Sequence, residues 1–259
     1  MSYDNNLVGV EIGENIALLT LNRPPLNILT LALTAELRRT LHTIENDERV
    51  RVVVLRGAGE HAFCAGADIK EFPSVWDDVI NKKLLNENLA VDEIELLEKP
   101  VIAAMEGNIL GGGCEIALAC DLRIMSEEGR IGLPEINLGV FPGSGGLYRL
   151  ARHVGLSVAY EMLYTGKIIS ANEAKSIGLV NYVVGKGSAQ DKAFELARAI
   201  TSKPFEAIKL IKRGVRELWQ KPTEEVFRAN LEFSKQIFKT ADCAEGVDAF
   251  IKKRNPRFE

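Results

Sequence analysis

Gly107-Asn108-Ile109-Leu110-Gly111-Gly112-Gly113-Cys114-Glu115 is the stretch on which the reading of the whole chain turns. It follows Val101-Ile102-Ala103-Ala104-Met105, a short apolar run that reads as a buried strand. It leads into Ile116-Ala117-Leu118-Ala119-Cys120, which reads as a helix spanning 111–120. Three consecutive glycines in a helix interior would cost roughly 1 kcal/mol each relative to alanine. Their natural place is therefore the start of the helix, where unpaired N–H groups and the positive end of the dipole favour an oxyanion. Close packing of helix on strand, with no space for side chains, accounts for the same glycines equally well. A P-loop is excluded because no Gly-Lys-[Ser/Thr] follows, and the G-x-G-x-x-G spacing of a dinucleotide fold is not met.

The pattern of short strand, glycine-rich turn and helix recurs on both sides. Upstream, Val50 to Leu55 is a β-branched run closed by Gly57-Ala58-Gly59, and His61-Ala62-Phe63-Cys64-Ala65-Gly66-Ala67-Asp68 follows it. Such small residues let backbone approach a ligand closely, and they also suit an ordinary tight loop. Downstream, Leu122 to Met125 reads as a strand, and Pro142-Gly143-Ser144-Gly145-Gly146 leads into a helix through residue 153. Nearer the N-terminus, Val8 to Leu21 alternates around Gly13-Glu14-Asn15, a hairpin signal that ends at Asn22-Arg23-Pro24-Pro25. Thr30 can cap a helix with the apolar stripe Leu33, Leu37, Leu41 and Ile44. Residues 77–97 read as a further helix, closed by Lys99-Pro100. Beyond Val184 the spans 190–201, 204–218, 222–238 and 241–253 are helical, with Pro204 and Pro222 near two of the starts. The chain thus divides into an α/β core, residues 1–190, and a helical region, residues 191–259.

Length and charge narrow the function. A chain of 259 residues buries a core without disulfides or metals. With 32 basic and 36 acidic side chains the net charge is −4, so no basic field invites nucleic acid or an acidic membrane surface. No apolar run approaches the roughly 18 residues of a membrane span. The opening Met1-Ser2-Tyr3-Asp4-Asn5-Asn6 has neither a basic region nor an apolar segment and does not read as a secretory signal. Cys64, Cys114, Cys120 and Cys243 form no C-x-x-C pair and read as reduced structural residues of a cytoplasmic protein.

Two glutamates stand in unusual company. Glu115 lies in the first turn of the glycine-led helix, and Glu135 lies in Ile131-Gly132-Leu133-Pro134-Glu135-Ile136-Asn137-Leu138-Gly139. Most glutamates are solvated, so two in apolar settings beside glycine turns are candidates for acid and base work. Glu115 in a first helical turn also complements the dipole, and sequence distance does not say whether the two face each other. Other chemistries fall away. His42, His61 and His153 are scattered without metal-ligand spacing. Gly143-Ser144-Gly145 is not the G-x-S-x-G nucleophile elbow. Lys252-Lys253-Arg254 reads as a solvated helix end or as a phosphate contact.

Taken together and in this order, these segments resemble the crotonase superfamily, which contains the enoyl-CoA hydratases and isomerases. The resemblance rests on Asn22-Arg23-Pro24, on Phe63 through Glu71, and on Ile102 through the glycine run to Asp121. It extends through Leu133-Pro134-Glu135, Pro142-Gly143-Ser144-Gly145-Gly146 and Glu245-Gly246-Val247 to Phe250-Ile251-Lys252-Lys253-Arg254. It implies a ββα spiral core of two roughly perpendicular sheets, with a C-terminal helical region that assembles trimers, often doubled to hexamers. It implies an oxyanion hole from the N–H groups of Ala67 and Gly112, with Glu115 activating water and Glu135 supplying the C2 proton. Coenzyme A, part of the substrate rather than a separate cofactor, would run along Leu26, Ala65, Ala67, Asp68 and Ile69, with Gly143 also contacting the substrate. Phe250 and Lys253 of a neighbouring subunit would reach its nucleotide. No metal is implied.

The sequence departs from the common pattern at the short Arg23-Pro24-Pro25-Leu26-Asn27 segment, at Phe141, at Leu147-Tyr148 and at Trp76. These bear on the acyl group, for which straight, branched and cyclic chains stay open. The resemblance therefore implies an enoyl-CoA hydratase adding water across C2=C3. The rivals are a Δ3-Δ2 enoyl-CoA isomerase, a hydratase of a cyclic dienoyl-CoA, and a non-catalytic relative that binds acyl-CoA or RNA.

Overall fold

The computed structural model describes residues 6–218 and 221–258, so all but Asn6 of the N-terminal stretch considered above lies outside the described residues. In chain order the strands are β1 (Val8–Gly13), β2 (Ile16–Leu21), β3 (Val52–Gly57), β4 (Ala62–Cys64), β5 (Val101–Met105), β6 (Asn108–Leu110), β7 (Leu122–Ser126), β8 (Arg130–Gly132), β9 (Ile168–Ser170) and β10 (Tyr182–Val184). The α-helices are α1 (Leu31–Glu45), α2 (Phe72–Val75), α3 (Leu85–Leu96), α4 (Gly112–Ala119), α5 (Gly146–Val154), α6 (Leu156–Thr165) and α7 (Ala171–Ser176). The C-terminal set is α8 (Ala189–Thr201), α9 (Phe205–Leu218), α10 (Thr223–Ile237) and α11 (Ala241–Ile251).

β1 and β2 form the expected hairpin, with Val8 opposite Leu21 and Gly13 opposite Ile16. Glu14 and Asn15 both take positive φ, 54° and 60°, as a two-residue turn matched to strand twist requires. From β2 onward the pairing is parallel, through β3, β5, β7 and β10, in a six-stranded sheet of order β1-β2-β3-β5-β7-β10. A second sheet has the order β4-β6-β8-β9, parallel except for its last pair. Three times the chain lays one strand in the first sheet and the next in the second before turning into helix: β3 then β4, β5 then β6, β7 then β8. This is the expected ββα spiral.

Both faces of the first sheet are covered, which explains why β2 is buried at every position rather than at alternate ones. Ala17, Leu19 and Leu21 face one core with Val53, Leu55, Ala103 and the α1 stripe Leu33, Leu37, Leu41 and Ile44. Ile16, Leu18, Val52, Val54, Ile102, Ala104 and Ile124 face the other side, where α8 lays down Ala189, Ala193 and Ala197. The small alanine face lets α8 lie close to the sheet, so the first of the C-terminal helices is packed on the sheet itself. Thr30 caps α1 as expected, its hydroxyl accepting from the Leu33 N–H at 3.1 Å.

Two parts differ from the sequence expectation. The single helix expected over 77–97 is three windings: a 3₁₀ turn at Trp76–Asp78, a π-helical segment at Ile80–Leu84, then α3. The wider winding carries Lys83 inward, where its ammonium meets Glu71 at 3.2 Å and Glu87 at 3.0 Å with no exposure. The strands of the second sheet are also new, because three residues are too few to display a period of two. None of the helices among the described residues is long and apolar enough to cross a membrane. All four cysteines are unpaired, and burial pushes the Cys64 and Cys120 thiols up to about 12.

Candidate active site

The site is built where β4, β6 and the start of α4 converge. The three glycines of the deciding stretch serve three different needs. Gly111 caps α4 with φ 54° and ψ −127°, a conformation open to glycine, and its N–H donates to the Gly132 carbonyl at 3.0 Å. Gly113 lies against β4 so tightly that a Cβ there would overlap the Cys64 carbonyl. Packing therefore explains Gly113. Gly112, between them, is the first helical residue, and its N–H has no partner among the described residues.

A second N–H without a partner among the described residues lies beside it. Leu29 and Ala67 form an isolated parallel bridge in which the Leu29 N–H donates to Gly66 and the Asp68 N–H donates to Leu29, each at 2.9 Å. That pairing uses the residues on either side of Ala67 and turns the Ala67 N–H the other way. A Cβ built on Gly112 would stand 3.9 Å from the Ala67 nitrogen, and one built on Gly66 would stand 3.8 Å from the Gly112 nitrogen. Two unpaired amides thus share one small space.

The two glutamates border the same glycine turn. Glu115 is buried on α4, and its backbone N–H donates to Gly111 at 3.0 Å. Its Oε1 accepts from the N–H groups of Ser144, at 2.7 Å, and Gly146, at 2.9 Å. No described donor reaches Oε2. Burial pushes the Glu115 carboxyl up to about 7; the Gly146 and Ser144 amides oppose that rise, and the Glu135 charge adds to it. Glu135 comes from the 3₁₀ turn Pro134–Leu138. Its Oε1 lies 3.3 Å from where a Cβ on Gly111 would be, while its Oε2 is buried without a partner among the described residues. Burial raises this carboxyl as well. A buried carboxylate oxygen without a donor favours the protonated form, and a carboxylate held by two amides favours the ionised one. Burial thus raises both carboxyls, and the two amide donors reach Glu115 alone.

The other residues singled out by sequence divide into two groups. The Ala65 N–H donates to the Leu26 carbonyl at 2.9 Å, which lays the Leu26 turn along the strip Ala65, Ala67, Asp68 and Ile69. Leu26 and Ile69 are exposed on this edge. Asp68 accepts from the Lys70 N–H and pairs with Arg23 at 3.3 Å, and these hold its carboxyl below the ordinary range. Gly143 is half-buried, one residue before the Ser144 donor. Phe250 and Lys253, by contrast, stand exposed at the end of α11, and no described hydrogen bond or ion pair ties them to these loops. Arg254 turns back to Glu245 and Asp248, so the basic cluster is partly neutralised by its own helix.

Sequence reasoning passed over two organisers. Asn27, fully buried with φ 49°, donates to the Ala58 and Ala62 carbonyls and accepts from the Arg23 N–H. It fastens the Leu26 turn to the segment that precedes Ala65. Its signal was an asparagine closing a Pro-Pro-Leu turn, a place where a left-handed residue is common. Arg149, which holds the Ser144 carbonyl, is the other.

Two packed sheets wound as ββα turns around this glycine-rich space define the crotonase superfamily of acyl-thioester enzymes. The sequence model described as Enoyl-CoA hydratase/isomerase matches residues 11–259, and the chain belongs to that family. It is 41% identical over 251 residues to the short-chain-enoyl-CoA hydratase of Clostridium acetobutylicum, covering 96% of each chain. It is 35% identical over 270 residues to the crotonyl-CoA hydratase of Syntrophomonas wolfei, covering 100% of this chain and 99% of that one. The crystal structure of an enoyl-CoA hydratase from Bacillus anthracis superposes with a TM-score of 0.93 at 38% identity, over 97% of this chain and 98% of that one.

Proposed function

We propose that this protein is an enoyl-CoA hydratase in which Glu115 is the base, Glu135 the acid, and the N–H groups of Ala67 and Gly112 the oxyanion hole. The observation that carries the reading is the juxtaposition of buried Glu115 and half-buried Glu135, differently held, with two amides that have no partner among the described residues, at a single glycine turn. The thioester oxygen sits between the two amides. Glu115 takes a proton from water through its open Oε2 as the water oxygen bonds to C3. The C2=C3 electrons move toward the thioester, and the resulting enolate oxygen is met by donors already aimed at it. The enolate then collapses, and C2 takes the proton carried by Glu135. Exchange with solvent returns Glu115 to its ionised form and Glu135 to its protonated form. Isomerisation of a 3-enoyl thioester needs one proton shuttle, whereas two carboxyls at one site suit hydration.

Coenzyme A runs along Leu26, Ala65, Ala67, Asp68 and Ile69 in this reading, with Gly143 toward the acyl end, and it enters as part of the substrate. Assembly belongs to the same proposal. Ile211, Val215, Phe227, Leu231 and Phe238 leave α9 and α10 with a broad exposed apolar surface. Association of residues 191–259 into a trimer or dimer of trimers covers it and brings Phe250 and Lys253 to a neighbour's nucleotide. Unpaired thiols suit a reducing cytoplasm.

The test is loss of the conjugated enoyl-thioester absorbance with crotonyl-CoA. Turnover that yields the 3-hydroxyacyl product supports the reading; conversion of a 3-enoyl thioester without hydration would replace it by isomerisation. The oxyanion hole has its own check. Proline is tolerated at the first helical position, where no intrahelical bond is lost. Gly112→Pro should therefore fold, delete one donor and lower kcat about 10²–10³-fold. Gly112→Ala keeps the N–H and brings its methyl against the Leu29 side chain, which can yield. Its kcat should stay well above that of the proline variant. Equal rates for the two variants would remove Gly112 from the hole.

A further inference from the structure

Arg149 is among the largest fully buried side chains of the molecule and touches neither glutamate. It lies on α5, directly after the Pro142–Gly146 turn. Its guanidinium donates to the Ser144 carbonyl at 3.1 Å, to Asp92 at 2.7 Å and to Glu95 at 2.7 Å. The two carboxylates come from α3, so one planar fork ties that helix to the turn. The Tyr148 ring covers it, with the guanidinium carbon 4.7 Å from the ring centroid. Gly145 takes φ 94°, and a Cβ there would overlap the guanidinium. The turn is thus folded around Arg149.

That turn supplies both donors to Glu115: the N–H of Ser144, whose own carbonyl Arg149 holds, and the N–H of Gly146 two residues on. We propose that Arg149 is a positioning residue for the base, fixing the Ser144–Gly146 amides on Glu115 Oε1 and so leaving Oε2 free for water. The proposal rests on the reading of Glu115 as the base. The alternative role for a buried arginine is stability alone, since Asp92 and Glu95 would be left uncompensated without it. The two roles differ in what they do to Glu115. The charged groups acting on that carboxyl are Glu135 from the 3₁₀ turn and Glu87 from α3, and neither touches Arg149. Loosening the turn leaves burial and these two carboxylates in place while removing the amides that oppose them, so the proton is held more tightly.

The experiment follows the Glu115 carboxyl by 13C NMR across pH, assigned by its loss in Glu115→Gln, alongside the pH profile of kcat. Arg149→Met is compared with Asp92→Asn/Glu95→Gln/Arg149→Met, which removes the buried ion pairs and leaves only the partly exposed Arg152 without its carboxylate, if the single variant fails to fold. The Glu115 midpoint should move upward by about half a pH unit or more. The acidic limb of the kcat profile should move with it, and KM should change less than kcat. Arg152→Met takes a second cation from Glu95 without reaching Ser144 and should leave the midpoint in place. A midpoint unmoved in the folded triple variant, a uniform fall in kcat with no displaced limb, or an equal shift in Arg152→Met would each overturn the proposal. The NMR titration reads Arg149 even if the wild-type protein fails to hydrate crotonyl-CoA, so the two readings fail separately.

Discussion

Replacing Glu135 by glutamine is expected to lower kcat for hydration about 10²–10⁴-fold while leaving acyl-CoA affinity within a few-fold of wild type. The expectation follows from how the side chain is held. Its Oε2 is buried with no donor among the described residues, and burial raises the carboxyl, which favours the protonated form that the proposed transfer to C2 uses. Glutamine keeps the volume and polarity but has no proton to deliver to carbon. It leaves the Ala67 and Gly112 amides untouched, so the thioester carbonyl still finds its donors. The discriminating measurement is exchange of the C2 hydrogen of the bound 3-hydroxyacyl thioester with deuterated solvent. Exchange should vanish together with hydration if Glu135 serves C2. Exchange that persists at the wild-type rate in Glu135→Gln would move the C2 role to another group, and turnover at the wild-type rate would remove Glu135 from the chemistry.

What the sequence could say about this site depended on how far each interaction reached along the chain. The α1 stripe, the two-residue hairpin turn and the strand Val101–Met105 are local patterns, and the structure has them where the residues indicate. The glycine run was legible as a helix start but not as three separate requirements. Gly113 is explained by the Cys64 carbonyl, 49 positions away in sequence, which no periodicity announces. Likewise, the four short strands of the second sheet take their identity from their partners, since each has only three residues. Glu115 and Glu135 stood out by context alone. The amide donors that set Glu115 apart come from Ser144 and Gly146, 29 and 31 residues beyond it. Asn27 and Arg149 were unremarkable as letters, because a buried asparagine or arginine is recognised by the carbonyls it finds, and those are set by the fold.

Glu115→Gln should produce two changes of opposite sign, a loss of activity and a gain in stability. Loss of the base lowers kcat about 10²–10⁴-fold above pH 7, where the wild-type carboxyl is ionised, because the amide cannot take a proton from water. The stability change depends on pH. Burial holds the folded carboxyl at about 7, against 4.5 for the same group exposed. Between these values the folded protein keeps a proton that the unfolded chain has released, so stability falls as pH rises. The penalty is complete above pH 7 and on the order of 3 kcal/mol. Glutamine is neutral throughout and its carbonyl can still accept from Ser144 and Gly146. Urea unfolding should therefore find Glu115→Gln more stable than wild type at pH 8, by up to about 3 kcal/mol, with the advantage gone near pH 4.5. Wild-type kcat should correspondingly fall as pH drops through 7, where the base takes up its proton. A variant no more stable than wild type at pH 8 would mean that Glu115 lies near its ordinary value and that the two amides outweigh its burial. A buried base is costly to the fold in the ionised state that catalysis requires, and this pair of measurements reads that cost and its use on the same carboxyl.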